Sequence, residues 1–152
     1  MADSGDNPAA EQVVSQLLRI HRYLRTYAKR ISSELGVSGR QLAVLRYLHE
    51  AGPLSIGQIS ARLLVADSTT SELIDGLEKC GLVARSRSPE DNRVAIVTLR
   101  PAGEELVARA PLGGVALLRR RLRSSPPDQV NALAQALIHL GHLMEIDTLE
   151  PQ

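Results

Sequence analysis

The sequence predicts a mainly α-helical fold with one small β-hairpin, and three observations support this prediction. Apolar residues recur in steps of three and four along most of the chain, as they do on one face of an α-helix. Residues 82–87 and 94–99 instead read as two short strands, joined by the turn formers Ser-Pro-Glu-Asp-Asn. The 152 residues suffice for one domain with its own core, which must be aliphatic because Phe and Trp are absent.

The N-terminal part is predicted to be a leader followed by a long helix. Residues 1–10 are acidic and polar, and they are expected to form a disordered leader. Helical spacing starts at Val13, which gives the first helix an apolar stripe suited to packing against another helix. The residues of this stripe are Val13, Leu17, Ile20, Leu24, Tyr27, Ile31 and Leu35.

Three further helices are predicted before the hairpin. The second spans Gly39 to Ala51, and the third begins after Ser55, whose hydroxyl suits an N-cap. Residues 68–71 place four short hydroxyls at the start of the fourth helix, and Gly81 lies where a glycine commonly ends a helix. The fourth helix therefore leads directly into the hairpin.

The C-terminal part is predicted to be helical but interrupted. Pro111, Gly113 and Gly114 predict a break in the helix that starts at Pro101. Pro127 suits the first position of a last helix. That helix carries a second apolar stripe, formed by Val130, Leu133, Leu137, Leu140 and Met144.

A helix followed at once by a basic hairpin has the outline of a winged helix-turn-helix, which is a way of holding duplex DNA. Residues 37–100 are expected to form this DNA-binding lobe. Residues 11–36 and 101–146 are expected to form a helical dimerisation region, because apolar stripes at both ends of a small domain favour a partner chain. The alternative is that both stripes pack on the lobe of their own chain.

Composition narrows the class of function. The net charge is +1, so any DNA-binding surface must be a local patch. Three tyrosines are the whole aromatic content, which argues against single-strand binding by base stacking. One cysteine allows no disulfide within the chain, and no apolar run approaches the roughly 20 residues of a membrane span. We therefore expect a cytoplasmic protein that does not act on a membrane.

The chain offers no sequence signature of an enzyme. It has no phosphate-binding glycine loop, no nucleophile elbow and no paired carboxylates in a predicted pocket. The two histidines of the last helix, His139 and His142, have no third ligand of fitting spacing beside them. We therefore expect neither catalysis nor a metal or other cofactor.

The chain resembles the multiple-antibiotic-resistance regulator (MarR) family of bacterial winged-helix transcription factors over residues 11–146. The matching stretches are SGRQLAVLRYLHEAGPLSIGQISARL, STTSELIDGLEKCGLVARSRSPEDNRVAIVTL and the helix start Pro-Ala-Gly at 101–103. The Asp-Asn-Arg element at 91–93 is the most specific part. The resemblance implies a homodimer that binds a pseudo-palindromic operator and represses transcription until a small ligand or an oxidant releases it.

The resemblance places the fourth helix in the major groove. There the hydroxyls of Ser68, Thr69 and Ser71 can meet base edges or phosphates, because a hydroxyl both donates and accepts. Ser68 alternatively only caps the helix, and Thr70 is expected to pack inward. Glu72 stands where relatives often carry a cation. It is either a specificity residue that accepts from a cytosine amino group or a solvated helix charge.

Positive charge for DNA binding is therefore expected mainly on the hairpin. Four acidic side chains and one lysine in residues 66–80 make the fourth helix a poor phosphate binder. The resemblance places Arg93 near the minor groove, and Asp91 is expected to orient it by an ion pair. The other candidate DNA contacts are Arg85 and Arg87 on the hairpin and Arg40 and Arg62 at helix ends. For the two hairpin residues the alternative is a solvated strand edge.

The resemblance also implies an effector pocket between the dimerisation helices and the DNA-binding lobe. The side chains with polar groups suited to an anionic or phenolic ligand are His21, Arg22, Tyr23, Tyr27 and Tyr47. Tyr27 is alternatively a core residue with a solvated hydroxyl. The rival to a DNA-binding regulator is a winged-helix module that works through protein partners and binds DNA weakly, and the acidic fourth helix is the observation that supports it.

Overall fold

The computed structural model describes residues 7–146, which form seven α-helices and a three-stranded antiparallel sheet. In chain order these are α1 (Pro8–Leu35), α2 (Gly39–Ala51), β1 (Leu54–Ser55), α3 (Ile56–Leu63), α4 (Asp67–Lys79), β2 (Val83–Arg87), β3 (Ala95–Leu99), α5 (Pro101–Arg109), α6 (Gly114–Arg123) and α7 (Pro127–Leu143). The predicted fold class, mainly α-helical with a small hairpin, is confirmed. Within the described range, no helix combines the length and hydropathy that a membrane span requires.

The first helix begins earlier than the sequence predicts. Asn7 is its N-cap, and the side-chain oxygen accepts a hydrogen bond of 3.1 Å from the amide of Ala9. Residues 8–10 are therefore helical, and the predicted disordered leader is wrong for them. The rest of that predicted leader, residues 1–6, lies outside the described residues. The apolar spacing begins only at Val13 and therefore does not reveal this earlier start. The Asn-Pro pair at residues 7–8, which caps the helix, is the sequence signal for it.

The sheet contains a strand that the sequence did not predict. Leu54 and Ser55 form β1, which pairs with β3 so that the strand order is β1-β3-β2. Two residues are too short to show the alternation by which a strand is predicted. The two predicted strands are observed, each one residue shorter at its start, and they pair with Arg85 opposite Val97. We call β2, β3 and the turn between them the wing.

Helix α4 ends as predicted but begins differently. Gly81 has a φ of +71°, and the amide of Leu82 donates to the carbonyl of Leu77 at 3.0 Å, which is the hydrogen bond that closes a glycine-terminated helix. At the other end the N-cap is Ala66, and no side chain caps the helix. Ser68 lies inside the first turn, so the alternative in which it caps α4 is wrong.

The apolar core lies in one part of the chain. It contains Ile31 from the end of α1, residues of α2, α3, α4 and the sheet, and Leu106 from α5. Thr70 points into this core as predicted, and its hydroxyl shares a 2.9 Å hydrogen bond with the buried Ser60 of α3. That bond joins α3 to α4 and satisfies both hydroxyls away from water.

The predicted break after α5 is confirmed, and polar contacts hold it. The carbonyl of Pro111 accepts hydrogen bonds from the Tyr27 hydroxyl at 2.7 Å and from the Arg46 guanidinium at 2.9 Å. The amide of Gly114, which starts α6, donates to the Tyr23 hydroxyl at 3.0 Å. Gly114 has a φ of +57°, a conformation that favours glycine. Side chains of α1 and α2 therefore fix the point where α5 ends and α6 begins.

Gly103→Ala is expected to destabilise the fold. A Cβ at this position would overlap the carbonyl oxygen of Leu82 and the side chain of Leu99, and the carbonyl cannot rotate away. We expect a loss of about 1–3 kcal/mol in the free energy of unfolding, measured by urea denaturation. Gly57→Ala on α3 is the control, because a Cβ there meets nothing and should stabilise by up to about 1 kcal/mol. Equal stability of the two variants would contradict the packing argument.

Candidate nucleic-acid interface

The exposed start of α4 carries the predicted hydroxyls. The side chains of Ser68 and Glu72 are exposed, and those of Thr69 and Ser71 are half-buried. None of the four side chains makes a hydrogen bond or an ion pair with the described part of the chain. Because Thr70 is turned into the core between them, this surface offers hydroxyl and carboxylate groups that are free to contact a ligand.

The Arg85 side chain is engaged with α4. Its guanidinium forms an ion pair with Asp75, lies 3.5 Å from Glu78 Oε2, and donates to the carbonyl of Ser71 at 3.0 Å. All three acceptors belong to α4. In the free protein the guanidinium donors of Arg85 therefore face α4, so the alternative of a solvated strand edge is wrong. The DNA contact of Arg85 stays a prediction.

The turn of the wing is organised by backbone contacts. The Asp91 carboxylate accepts a 3.0 Å hydrogen bond from the backbone amide of Arg93, and no ion pair joins it to the guanidinium. The amide of Ser88 donates to the carbonyl of Val94 at 2.9 Å and closes the hairpin. The predicted Asp91–Arg93 ion pair is wrong. Asp91 shapes the turn instead, as short polar side chains commonly do.

The wing exposes two arginines that have no partner among the residues that the structure describes. The side chains of Arg87 and Arg93 are exposed, and neither guanidinium contacts an acidic group within residues 7–146. Together with Ser71 and Arg85, Arg87 lines a crevice of about 490 Å³ between α4 and the wing. The tertiary structure thus brings the hydroxyl-bearing helix and the basic hairpin to one side of the lobe.

Arg40 and Arg62 lie apart from that crevice. Arg40 is exposed near the start of α2, and Arg62 is exposed in the last turn of α3 with its guanidinium 5.8 Å from the Tyr47 ring centre. Both line a second cavity of about 510 Å³ between α1, α2, α3 and α6. Each of these two arginines is therefore exposed on the outside of the lobe and also lies at the rim of this cavity.

The second cavity contains only part of the predicted ligand set. Tyr27 and Tyr47 line it. The Tyr23 hydroxyl is engaged with the Gly114 amide, while His21 and Arg22 are exposed on α1 and are not among the residues that line this cavity. The predicted set is therefore not brought together as one site.

Two cavity arginines were missed by the sequence reasoning. Arg46 of α2 and Arg119 of α6 both line the cavity. Arg119 donates to the Tyr47 hydroxyl at 3.2 Å, and its guanidinium lies 5.0 Å from the centre of the Tyr47 ring. In the sequence Arg119 belongs to an arginine run that is typical of a solvated helix face, so only the position of α6 reveals it.

A three-helix lobe with a basic wing, in which α4 follows α3 through a short turn, defines a winged helix-turn-helix DNA-binding protein. The sequence model of the MarR family matches residues 35–93, from the end of α1 to the wing turn. The HTH-type transcriptional regulator YkoM of Bacillus subtilis is 30% identical over 130 residues, which cover 83% of this chain and 84% of YkoM. The chain belongs to the MarR family and is a DNA-binding transcriptional regulator.

Solved structures share the fold at lower identity. AbsC, a MarR family transcriptional regulator from Streptomyces coelicolor, superposes with a TM-score of 0.68 at 18% identity over 94% of this chain and 99% of AbsC. BpsR of Bordetella bronchiseptica, whose DNA binding is regulated by 6-hydroxynicotinic acid, superposes with a TM-score of 0.59 at 23% identity over 86% of this chain and 98% of BpsR. These likenesses concern the fold.

Proposed function

We propose that the protein is a homodimeric repressor that binds a pseudo-palindromic operator and leaves it when a small ligand is bound. The observation that carries the DNA-binding face is the juxtaposition of free hydroxyls on α4 with two unpaired arginines on the wing. In this proposal α4 reads base edges in the major groove with Ser68, Thr69 and Ser71. Glu72 lies beside them and accepts from a cytosine amino group.

The wing supplies the electrostatic attraction in this proposal. Helix α4 carries four acidic residues and one lysine, so it contributes little attraction to phosphates. Arg93 inserts into the minor groove, where the potential is negative, and Arg87 contacts the backbone beside it. Arg40 and Arg62 are proposed as outer backbone contacts at two helix ends, and Asp91 as the residue that holds the wing turn in shape.

Exposed apolar side chains support the dimer. Along the first predicted stripe, Ile31 is buried in the core, whereas Val13 and Ile20 are more than half exposed. Large apolar residues of α7 are exposed as well, namely Leu133, Leu137, Ile138 and Leu143. Exposed large apolar residues on the helices at both ends of a chain are typical of an interface. We propose that α1, α6 and α7 pack against the same helices of a second copy.

The division into two regions is proposed at the α5–α6 break. Helix α5 packs with the DNA-binding lobe, since Leu106 is in the core and Glu104 Oε2 lies 2.6 Å from His49 Nδ1 of α2. The lobe then extends beyond residue 100, to Ala110, and the dimerisation region consists of α1, α6 and α7. The break itself lies between the two regions.

The second cavity is proposed as the effector site. It lies where α1 and α6 meet the lobe, and the guanidinium groups of Arg46 and Arg119 face its apolar walls with two tyrosine hydroxyls. Cations beside apolar walls suit an aromatic or aliphatic carboxylate. The structural neighbour BpsR, which responds to 6-hydroxynicotinic acid, supports a ligand of this kind. Occupation of the cavity would change how α6 sits on the lobe.

Arg93→Ala is expected to weaken operator binding while the protein stays folded. Each lost phosphate neutralisation lowers the slope of log affinity against log salt by about 0.9, so two wings give a change of about 1.8. Fluorescence anisotropy across a salt titration measures it. Arg109→Ala, an exposed arginine on α5, is the control and should leave the slope unchanged. An unchanged slope in Arg93→Ala would remove Arg93 from the proposed DNA-binding face.

Leu137→Glu is expected to dissociate the dimer. The side chain is 56% exposed in the free chain, and a carboxylate buried between two copies would lack a partner. Light scattering during size-exclusion chromatography should give twice the 16.5 kDa chain mass for the wild type and the single chain mass for the variant. Ala51→Glu, exposed at the end of α2, should remain a dimer. A wild-type monomer would refute the proposed assembly.

Arg119→Gln is expected to weaken carboxylate binding about tenfold, because a charge-assisted hydrogen bond is lost. Calorimetry with 4-hydroxybenzoate as the probe measures the affinity, and anisotropy measures release of DNA by the same compound. Arg121→Gln is the control, since Arg121 is exposed and is not among the residues that line the second cavity. Equal affinities of the two variants would place the ligand elsewhere.

A further inference from the structure

Arg85 is attached to the recognition helix at four points. Its guanidinium contacts the Asp75 and Glu78 carboxylates and the Ser71 carbonyl, and its backbone amide donates to Glu78 Oε1 at 3.2 Å. The side chain is 28% exposed, whereas those of Asp75 and Glu78 are 51% and 42% exposed. We call this group of four residues the Arg85 cluster.

The cluster joins two elements that must act on DNA together. Arg85 lies on β2, and its three partners lie on α4. Planar guanidinium groups present donors in a fixed fork, so bonds to several acceptors fix both distance and orientation. The contacts of this side chain therefore add a polar constraint on the angle between α4 and the wing, beside the apolar packing of Val83 in the core.

The cluster also changes the charge that DNA would meet. Ser71, Asp75 and Arg85 line the crevice of about 490 Å³ between α4 and the wing. A helix in the major groove and a wing in the adjacent minor groove lie on opposite sides of one phosphate backbone, so that backbone passes the crevice. Without Arg85, the Asp75 carboxylate in the crevice and the neighbouring Glu78 carboxylate would both lack their counter-charge.

We propose that Arg85 is a positioning residue for DNA binding, which neutralises Asp75 and Glu78 and holds the wing against α4 without contacting a phosphate. This inference rests on the proposed DNA-binding face. It differs from that proposal in giving Arg85 a role different from that of Arg87, two residues further along the same strand. Arg87 has no acidic partner in the described chain and keeps its charge available for DNA.

A mutant cycle on the full-length protein tests the proposal. The DNA is a duplex that the wild-type protein selects from a random-sequence pool, and affinities are measured by anisotropy at one salt concentration. Arg85→Gln is expected to weaken binding about tenfold, because it leaves two carboxylates beside the backbone. Adding Asp75→Asn and Glu78→Gln should restore about fivefold in that background, but change the wild type by less than about twofold.

Arg87→Gln is the matched control. Since Arg87 has no contact with the acids, adding Asp75→Asn and Glu78→Gln should give the same small change in the Arg87→Gln background as in the wild type. An equal gain in the Arg85→Gln and wild-type backgrounds would overturn the proposal, because the effects of a direct phosphate contact add independently. A wild-type protein that selects no duplex would instead refute the DNA-binding face itself.

Arg85→Lys keeps the test decisive if Arg85→Gln does not fold, as judged by its thermal transition. A lysine ammonium retains the charge but reaches one acceptor at a time, so it leaves the other carboxylate unneutralised. Removal of both acids should then raise affinity more in Arg85→Lys than in the wild type. The same gain in both would show that charge alone, and not the cluster, determines binding.

Discussion

The architecture depends on an almost wholly aliphatic core, in which Tyr47 is the one buried aromatic side chain among the described residues. Phe and Trp are absent, and the buried apolar residues run from Ile31 to Leu106, almost all of them Leu, Ile or Val. An aliphatic side chain buries less area than an aromatic one. The core is accordingly small and is confined to one lobe. The first turns of α1 and the whole of α7 are left with apolar surface that this core does not cover.

Hydrogen bonds hold the chain at the break between α5 and α6, where the apolar core ends. Tyr27 and Arg46 both donate to the carbonyl of Pro111, at the point where a proline and two glycines interrupt the helix after α5. These bonds satisfy a carbonyl that a continuous helix would have paired internally. The same junction borders the cavity of about 510 Å³, so the interruption and the candidate effector site are parts of one boundary.

In the proposed DNA-binding face, the groups suited to base contacts and the positive charges lie on different elements. Helix α4 presents short hydroxyls and Glu72, and its remaining acids are paired with Arg85 or solvated. The wing adds Arg87 and Arg93, which are exposed and contact no acidic group among residues 7–146. For a regulator with a net charge of +1, the proposed binding mode therefore relies on these two arginines and on the contacts that keep the wing beside α4.

By itself the sequence determined the local structure. Capping serines, Gly81 and the Pro-Gly interruption act within a few residues, and α2 spans the predicted Gly39–Ala51 because its stop signals are local. The two-residue β1 needed tertiary pairing to exist. Which acid faces which arginine was likewise decided by the packing of β2 on α4. That packing gave Arg85 to Asp75 and Glu78 and left Asp91 to a backbone amide, since ion pairs depend on distances between elements that spacing does not contain.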